Sequence, residues 1–431
     1  MSGNIRKSLL QFVFSGSYMK RWNDKLRPVE LIEIDKQAHK MIVAWLLCQT
    51  AGRGKNREER HALEQQVVEG GMFDYLFRLI ITDIKPPILY QIKDNSEHYQ
   101  RLTAWALAEI EPHLRPLDKG FWERFTRYLQ QPEPGGLADD ILAAAHLYAS
   151  FWEFRLLKGL NEHFDDEMPS IDAVFRERLA GYGRLPGMAE LIAGLEKSPR
   201  RAPFEDAGAE KNSALAGFAN LCGQLRFQKR WSQTPRIPET SVMGHMFIVA
   251  CYAYFLSLTF NACPTRRVNN FFSGLFHDLP EVLTRDIISP VKKSFSGLGE
   301  LIRQYEEMEL ERRVFAPLQK EGHTDVNARL SYYLGLATGS EFHECVIEGG
   351  IVRQVDFDAL QGRYNKNAFD PKDGEALKIC DTLAAYIEAY TAMRNGITSD
   401  QIQQAFWRMR EQNAKRMLGA IHIGGLFTDF D

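Results

Sequence analysis

An imidazole and a carboxylate stand side by side at His277-Asp278, after an apolar run that includes Phe271, Phe272, Leu275 and Phe276. Two acids follow, Glu281 and Asp286. Such groups set against so much hydrophobic surface are costly to bury unless a cation compensates them. A divalent metal is the simplest such cation, because it takes both imidazole nitrogen and carboxylate oxygen. Two further residues extend the set: His245 opens the apolar stretch 246–256, and Asp381 lies within the apolar stretch 376–390. If three helices bring these segments together, His245, His277, Asp278 and Asp381 converge in a bundle core. With four protein ligands, an ion preferring five or six keeps positions for water and a substrate oxygen.

The elements that must position these residues come in two sets. Lys20-Arg21-Trp22, Glu30 and His39 precede the apolar run 41–47, and Lys229-Arg230-Trp231, Glu239 and His245 precede 246–256. Further on, 82–88 lines up with 285–291, placing Asp83 opposite Asp286, and Asp140 lines up with Asp381. Blocks repeated in the same order predict a tandem duplication, residues 1–195 and 213–431. The polar stretch 196–212, with prolines at 199 and 203, reads as the linker between them. Apolar residues recur at helical spacing in 141–157, 299–317, 374–393 and 401–417, so the expected fold is all-α, two tandem helical bundles. The clearest strand signal is 346–355, around the pair Gly349-Gly350. The second copy carries an insertion at about 294–370 before Asp381.

A chain of 431 residues suffices for two such units. Its net charge of −3 offers no basic stripe for a phosphate backbone, so neither DNA nor RNA is an expected partner. Six cysteines without metal-finger spacing read as reduced thiols of a cytoplasmic protein. No membrane is expected either: the longest apolar run, around 246–260, is interrupted by Ser257 and Thr259 and reads as a buried helix.

The order H…HD…D resembles the HD superfamily of metal-dependent phosphohydrolases, which are all-helical. Arg230-Trp231, the lead-in 239–245 and the string 277–292 (HDLPEVLTRDIISPVK) are similar to the YfbR-type bacterial 5'-deoxynucleotidases. The likeness covers most of the second copy outside its insertion and, more faintly, the first. It implies a 5'-nucleotidase-like phosphomonoesterase that uses metal-activated water on a nucleoside 5'-monophosphate or similar small phosphate ester. His245, His277, Asp278 and Asp381 would hold one divalent ion: Co, Mn, Zn, Fe, Ni or Mg. Glu281 and Asp286 would handle protons, Arg230 would hold the phosphate, and Trp231 would pack on the sugar. Pro280 predicts that the helix carrying the pair ends or kinks there.

Laid on the second copy, the first keeps His39, Asp83 and Asp140 but has Asp74-Tyr75 at the HD pair and Arg78 at Glu281. It is expected to hold no catalytic metal and to pack as the internal partner of a pseudo-dimer. Two alternatives remain open. A di-iron oxygenase on the same scaffold would need His323 and His343, whose polar surroundings predict the surface. A nucleotide-binding regulator would bind without turnover.

Overall fold

The computed structural model describes residues 4–82, 84–131, 135–196, 213–284 and 297–430. The segment 197–212, which holds nearly all of the expected linker, lies outside them, as do Asp83 and Asp286. The fold is all-α. Its N-terminal half comprises α1 (Lys7–Phe14), α2 (Glu33–Ala51), α3 (Arg57–Ile81), α4 (Pro86–Asp94), α5 (Ser96–Leu114), α6 (Lys119–Gln130), α7 (Leu137–Asn161), α8 (Met168–Gly181) and α9 (Met188–Glu196). The C-terminal half opens with α10 (Ala214–Gly223), α11 (Val242–Thr259), α12 (Pro264–Phe276) and the short α13 (Glu281–Thr284).

The stretch before Asp381 folds as α14 (Leu298–Leu310), a π-helical turn (Glu311–Phe315), α15 (Ala316–Lys320), α16 (Thr324–Tyr333) and the hairpin β1 (Cys345–Glu348) to β2 (Ile351–Gln354). Gly349 and Gly350 turn that hairpin at φ of 61° and 81°, the left-handed pair that a two-residue connection requires. After α17 (Phe357–Gln361) come α18 (Gly374–Arg394), α19 (Asp400–Asn413), the two-residue strands β3 (Met417–Leu418) and β4 (Ile421–His422), and α20 (Gly424–Thr428). The helix expected over 401–417 thus stops at Asn413, and Met417 pairs instead with His422.

A helix apolar on every side belongs in a core, and α11 is buried along its whole length. It is also the one described helix long and apolar enough to cross a membrane, and it lies entirely inside the protein. Around it pack α12 and α18, as α3 and α7 pack around α2. Gly274 sets the spacing of α12 on α11, since a Cβ there would lie 2.7 Å from the Ala250 backbone. The head of α18 is tied to α12 by the fully buried ion pair of Arg266 with Asp373, to which Asn270 adds a 2.6 Å hydrogen bond. These two contacts fix the helix bearing Asp381 relative to the helix that ends at His277.

One hairpin occurs twice. Lys20 bridges Ile32 as Lys229 bridges Ser241, and Arg21 N–H donates to Leu31 O as Arg230 N–H donates to Thr240 O. Trp22 and Trp231 both adopt a left-handed backbone, with φ of 56° and 57°. Trp22 donates its indole N–H to Glu153 on α7, and Trp231 donates to Glu388 on α18. Four residues past the bridge on the entering helix stand Lys36 in the first half and His245 in the second. Seven residues before the shared glutamate stand His146 and Asp381. The places of His245 and Asp381 are therefore taken by Lys36 and His146, which corrects the sequence pairing with His39 and Asp140.

His39 serves the contact between halves instead. It is buried, its Nε2 lies 3.0 Å from Ala219 O on α10, and its Nδ1 accepts from Arg226 at 3.0 Å. Burial and the Arg226 charge lower its pKa to about 3 and keep it neutral. The reciprocal contact is Tyr252 on α11, which donates to Leu10 O on α1 at 2.7 Å. Each core helix thus grips the first helix of the other half, and a continuous hydrophobic core runs through both.

Candidate metal centre

α12 ends at Phe276, so the helix stops before the HD pair rather than at Pro280. The pair occupies the turn between α12 and α13, where Glu281 N–H donates back to Asp278 O at 3.1 Å. His277 is buried, and its Nδ1 lies 2.8 Å from Gly274 O. Because only a donor can face a carbonyl, that contact places a proton on Nδ1 and leaves Nε2 to take a proton or a metal ion. Nε2 is buried without a hydrogen-bond partner and faces the acids. A buried nitrogen set against two carboxylates in this way suits a shared cation, either a proton or a metal ion.

Nε2 of His277 is 3.3 Å from Asp278 Oδ2 and 3.9 Å from Asp381 Oδ1. Nε2 of His245 is 3.2 Å from Asp381 Oδ1 and 3.9 Å from Asp278 Oδ2. His245, His277 and Asp381 each offer a ligand atom within 4.8 Å of the others. Ligands bound at roughly 2.1 Å to one ion sit about 3–4 Å apart, so His245, His277 and Asp381 suit a single divalent cation, with Asp278 beside both imidazoles. Burial opposes charge on His277, but Asp278 and Asp381 outweigh it and raise the imidazole to about 9. The acids respond in kind: against the cost of burial, His277, Arg230 and His245 hold Asp278 well below the usual carboxylate range. The pocket demands positive charge.

Arg230 reaches the cluster, with Nη1 3.1 Å from Asp278 Oδ2 and Nε 3.5 Å from Glu388 Oε2. Trp231 spends its indole N–H on Glu388 at 2.8 Å. Glu281 is buried, near enough to add to the upward shift of the Arg230 pKa, and Asp286 lies outside the described residues.

Three neighbours were not singled out in the sequence. Glu388 is wholly buried, accepts from Thr240 at 2.8 Å, and faces His245 Nδ1 at 3.4 Å, which orients that ring. The readable signal was an acid two turns after Asp381 on the same helix face. Lys378, one turn before Asp381, places Nζ 2.9 Å from Asp381 Oδ2 and 4.3 Å from the centroid of the Phe342 ring. Glu341, next to Phe342, feels the charges of His277 and Asp278, and burial raises its pKa. A Cβ at Gly374 would overlap the Phe342 backbone, so only glycine lets that backbone lie this close to the head of α18.

Of the two histidines required by a di-iron site, His323 sits with another group and neither is grouped with His245 and His277 among the described residues. His323 is buried rather than at the surface, with Nδ1 2.9 Å from Arg53 and Nε2 3.5 Å from Glu190. Its possible ligand group is with Glu190 and Glu321, not with His245. His343 Nδ1 is 3.0 Å from Thr338 O.

Residues 222–410 match the HD domain family. The match spans the four candidate ligands and supports HD-superfamily membership for this half. Neither a curated protein nor a solved structure matches the chain. HD domains are usually metal-dependent hydrolases, and the HD domain here points to metal-dependent phosphohydrolase activity in general. The His/Asp group gives it a place for the divalent ion that such domains bind.

Proposed function

We propose that the HD domain hydrolyses phosphate monoesters, nucleoside 5'-monophosphates foremost, in the manner of a 5'-nucleotidase. The observation that carries this reading is the buried Nε2 of His277, without a hydrogen-bond partner among the described residues, facing two carboxylates beside a second imidazole. His245, His277, Asp278 and Asp381 would hold the ion. Bound there, a divalent cation supplies Lewis acidity towards a phosphoryl oxygen and lowers the pKa of water to about 7. Glu281 and Asp286 would take and return protons. Arg230, 3.1 Å from Asp278, brings a guanidinium whose paired N–H groups suit a phosphate. Glu388 anchors Arg230 and Trp231 together, so that the indole face can meet the sugar while its N–H is held.

The two halves are proposed to be a tandem duplication forming an internal pseudo-dimer, in a cytoplasmic protein. Support comes from the repeated tryptophan hairpin, the paired glutamates Glu153 and Glu388, and the reciprocal grips of His39 on α10 and Tyr252 on α1.

Full-length protein stripped with a chelator should lose phosphate release from a panel of nucleoside monophosphates and regain it with Co, Mn or Zn. Turnover that survives both chelation and Asp278→Ala sinks the proposal.

A further inference from the structure

The N-terminal counterpart of the metal centre is built from cations. Lys36 is buried at the place of His245, and its Nζ lies 2.6 Å from Nδ1 of His146, at the place of Asp381. Three cations, Arg21, Lys40 and Arg78, gather around the buried Lys36 amine and the His146 ring. The acids that face them are already engaged. Glu33 takes Arg21 at 2.7 Å and faces Arg78 at 3.7 Å. Glu153 takes Arg21 at 2.8 Å and is shared with Arg226 at 2.9 Å. Asp74 takes Lys40 at 2.5 Å and accepts from Tyr128 at 2.9 Å. Among the described residues, the hydrogen-bond partner of Lys36 is the imidazole alone.

Solvent reaches this cluster. His146 is exposed and the Asp74 side chain is 39% exposed, whereas Lys36 and Lys40 lie beneath them, buried. With Lys36 donating to Nδ1, the ring carries its own proton on Nε2 and offers a second donor at the opening. Although part of His146 reaches the surface, the protein packed around its ring lowers the pKa by desolvation, and Lys36, Lys40, Arg21 and Arg78 all lower it further, which marks the field at the ring as positive.

We propose that this pocket binds a phosphate group, as inorganic phosphate or a phosphate monoester, without any metal. The anion would sit against His146 and favour a proton on the Lys36 amine, whose hydrogen-bond partner among the described residues is the imidazole alone. The site is separate from the metal centre and stands whether or not the HD domain hydrolyses nucleotides.

The test is calorimetric titration of inorganic phosphate, and separately of AMP, into the chelator-treated full-length chain, which removes the metal-dependent mode of binding. Wild-type protein should bind both ligands. His146→Glu, a change at an exposed position that pairs Lys36 with a built-in acid, should weaken both at least tenfold. Lys36→Met should do the same. Binding of phosphate but not AMP would assign the pocket to the free ion. No binding by the chelated wild-type chain overturns the proposal, as does undiminished affinity in His146→Glu. Because His146 is exposed, that variant decides the matter even if Lys36→Met fails to fold.

Discussion

The two halves solve the same packing problem and reach opposite electrostatics. Each has the tryptophan hairpin, an arginine beside it and a buried glutamate that holds both. In the C-terminal half the glutamate helix carries Asp381 and the entering helix carries His245, and the result is a cluster that draws in positive charge. In the N-terminal half those two places hold His146 and Lys36, and Arg21, Lys40 and Arg78 already bring positive charge to them. The clasp is therefore about architecture, and the chemistry lies in the two residues it presents. Substitution of those residues changes what the pocket attracts without disturbing the scaffold around it.

The sharpest way to break this contrast is to remove a ligand. His277→Ala or Asp278→Ala should lower phosphate release by ~10³-fold or more, about 4 kcal/mol of barrier, because the ion loses its seat. Metal content measured on the same sample should fall with activity. Arg266→Ala should cost about 3–5 kcal/mol of stability, since it strands Asp373 in the core. Thermal unfolding reads this, and a loss below 1 kcal/mol would mean the Arg266–Asp373 tie does not hold α18 in place.

The glutamates separate architecture from chemistry more finely. Glu388→Gln, which loosens the orientation of His245, should weaken metal affinity or activity by about 10–100-fold. Glu153→Gln should leave both unchanged and show only in the unfolding midpoint. Equal effects on activity from the two changes would erase the distinction between the halves.

The smallest effect concerns pH. Burial, with Arg21 and Lys40 alongside, holds Lys36 well below its ordinary value despite Glu33. The unfolded chain titrates this amine near ~10.4, so between the folded and unfolded values it binds more protons than the native state. Stability attributable to Lys36 therefore rises with pH across that interval, by roughly 1.4 kcal/mol per unit of displacement. Lys36→Met should flatten that rise in urea titrations run between neutral pH and pH 10.

Much of the C-terminal half was legible because its polar residues are out of place in their surroundings. An imidazole or an acid in 245–256, 271–278 or 376–390 needs a compensating charge, and three of the four singled out, His245, His277 and Asp381, lie within reach of one ion, with Asp278 3.3 Å from His277. Helices were legible from apolar spacing, and the 345–354 hairpin from its glycine pair. The register of the first half was not. His39 and His245 both open apolar runs, and residue type outweighed the spacing from Trp22 and Trp231, which the backbone obeys. Glu388 escaped notice because its role depends on Arg230, Trp231 and Thr240 folding back onto it. The burial of His323 was hidden for the same reason, since Glu190 and Arg53 belong to the other half.

The crossed grip of α1 on α11 and of α10 on α2 has a consequence for how the molecule could be divided. Neither piece can close its own interior, because each lends its opening helix to the other. A chain severed between residues 196 and 213 should therefore behave as two fragments that are insoluble apart and complement one another when co-expressed.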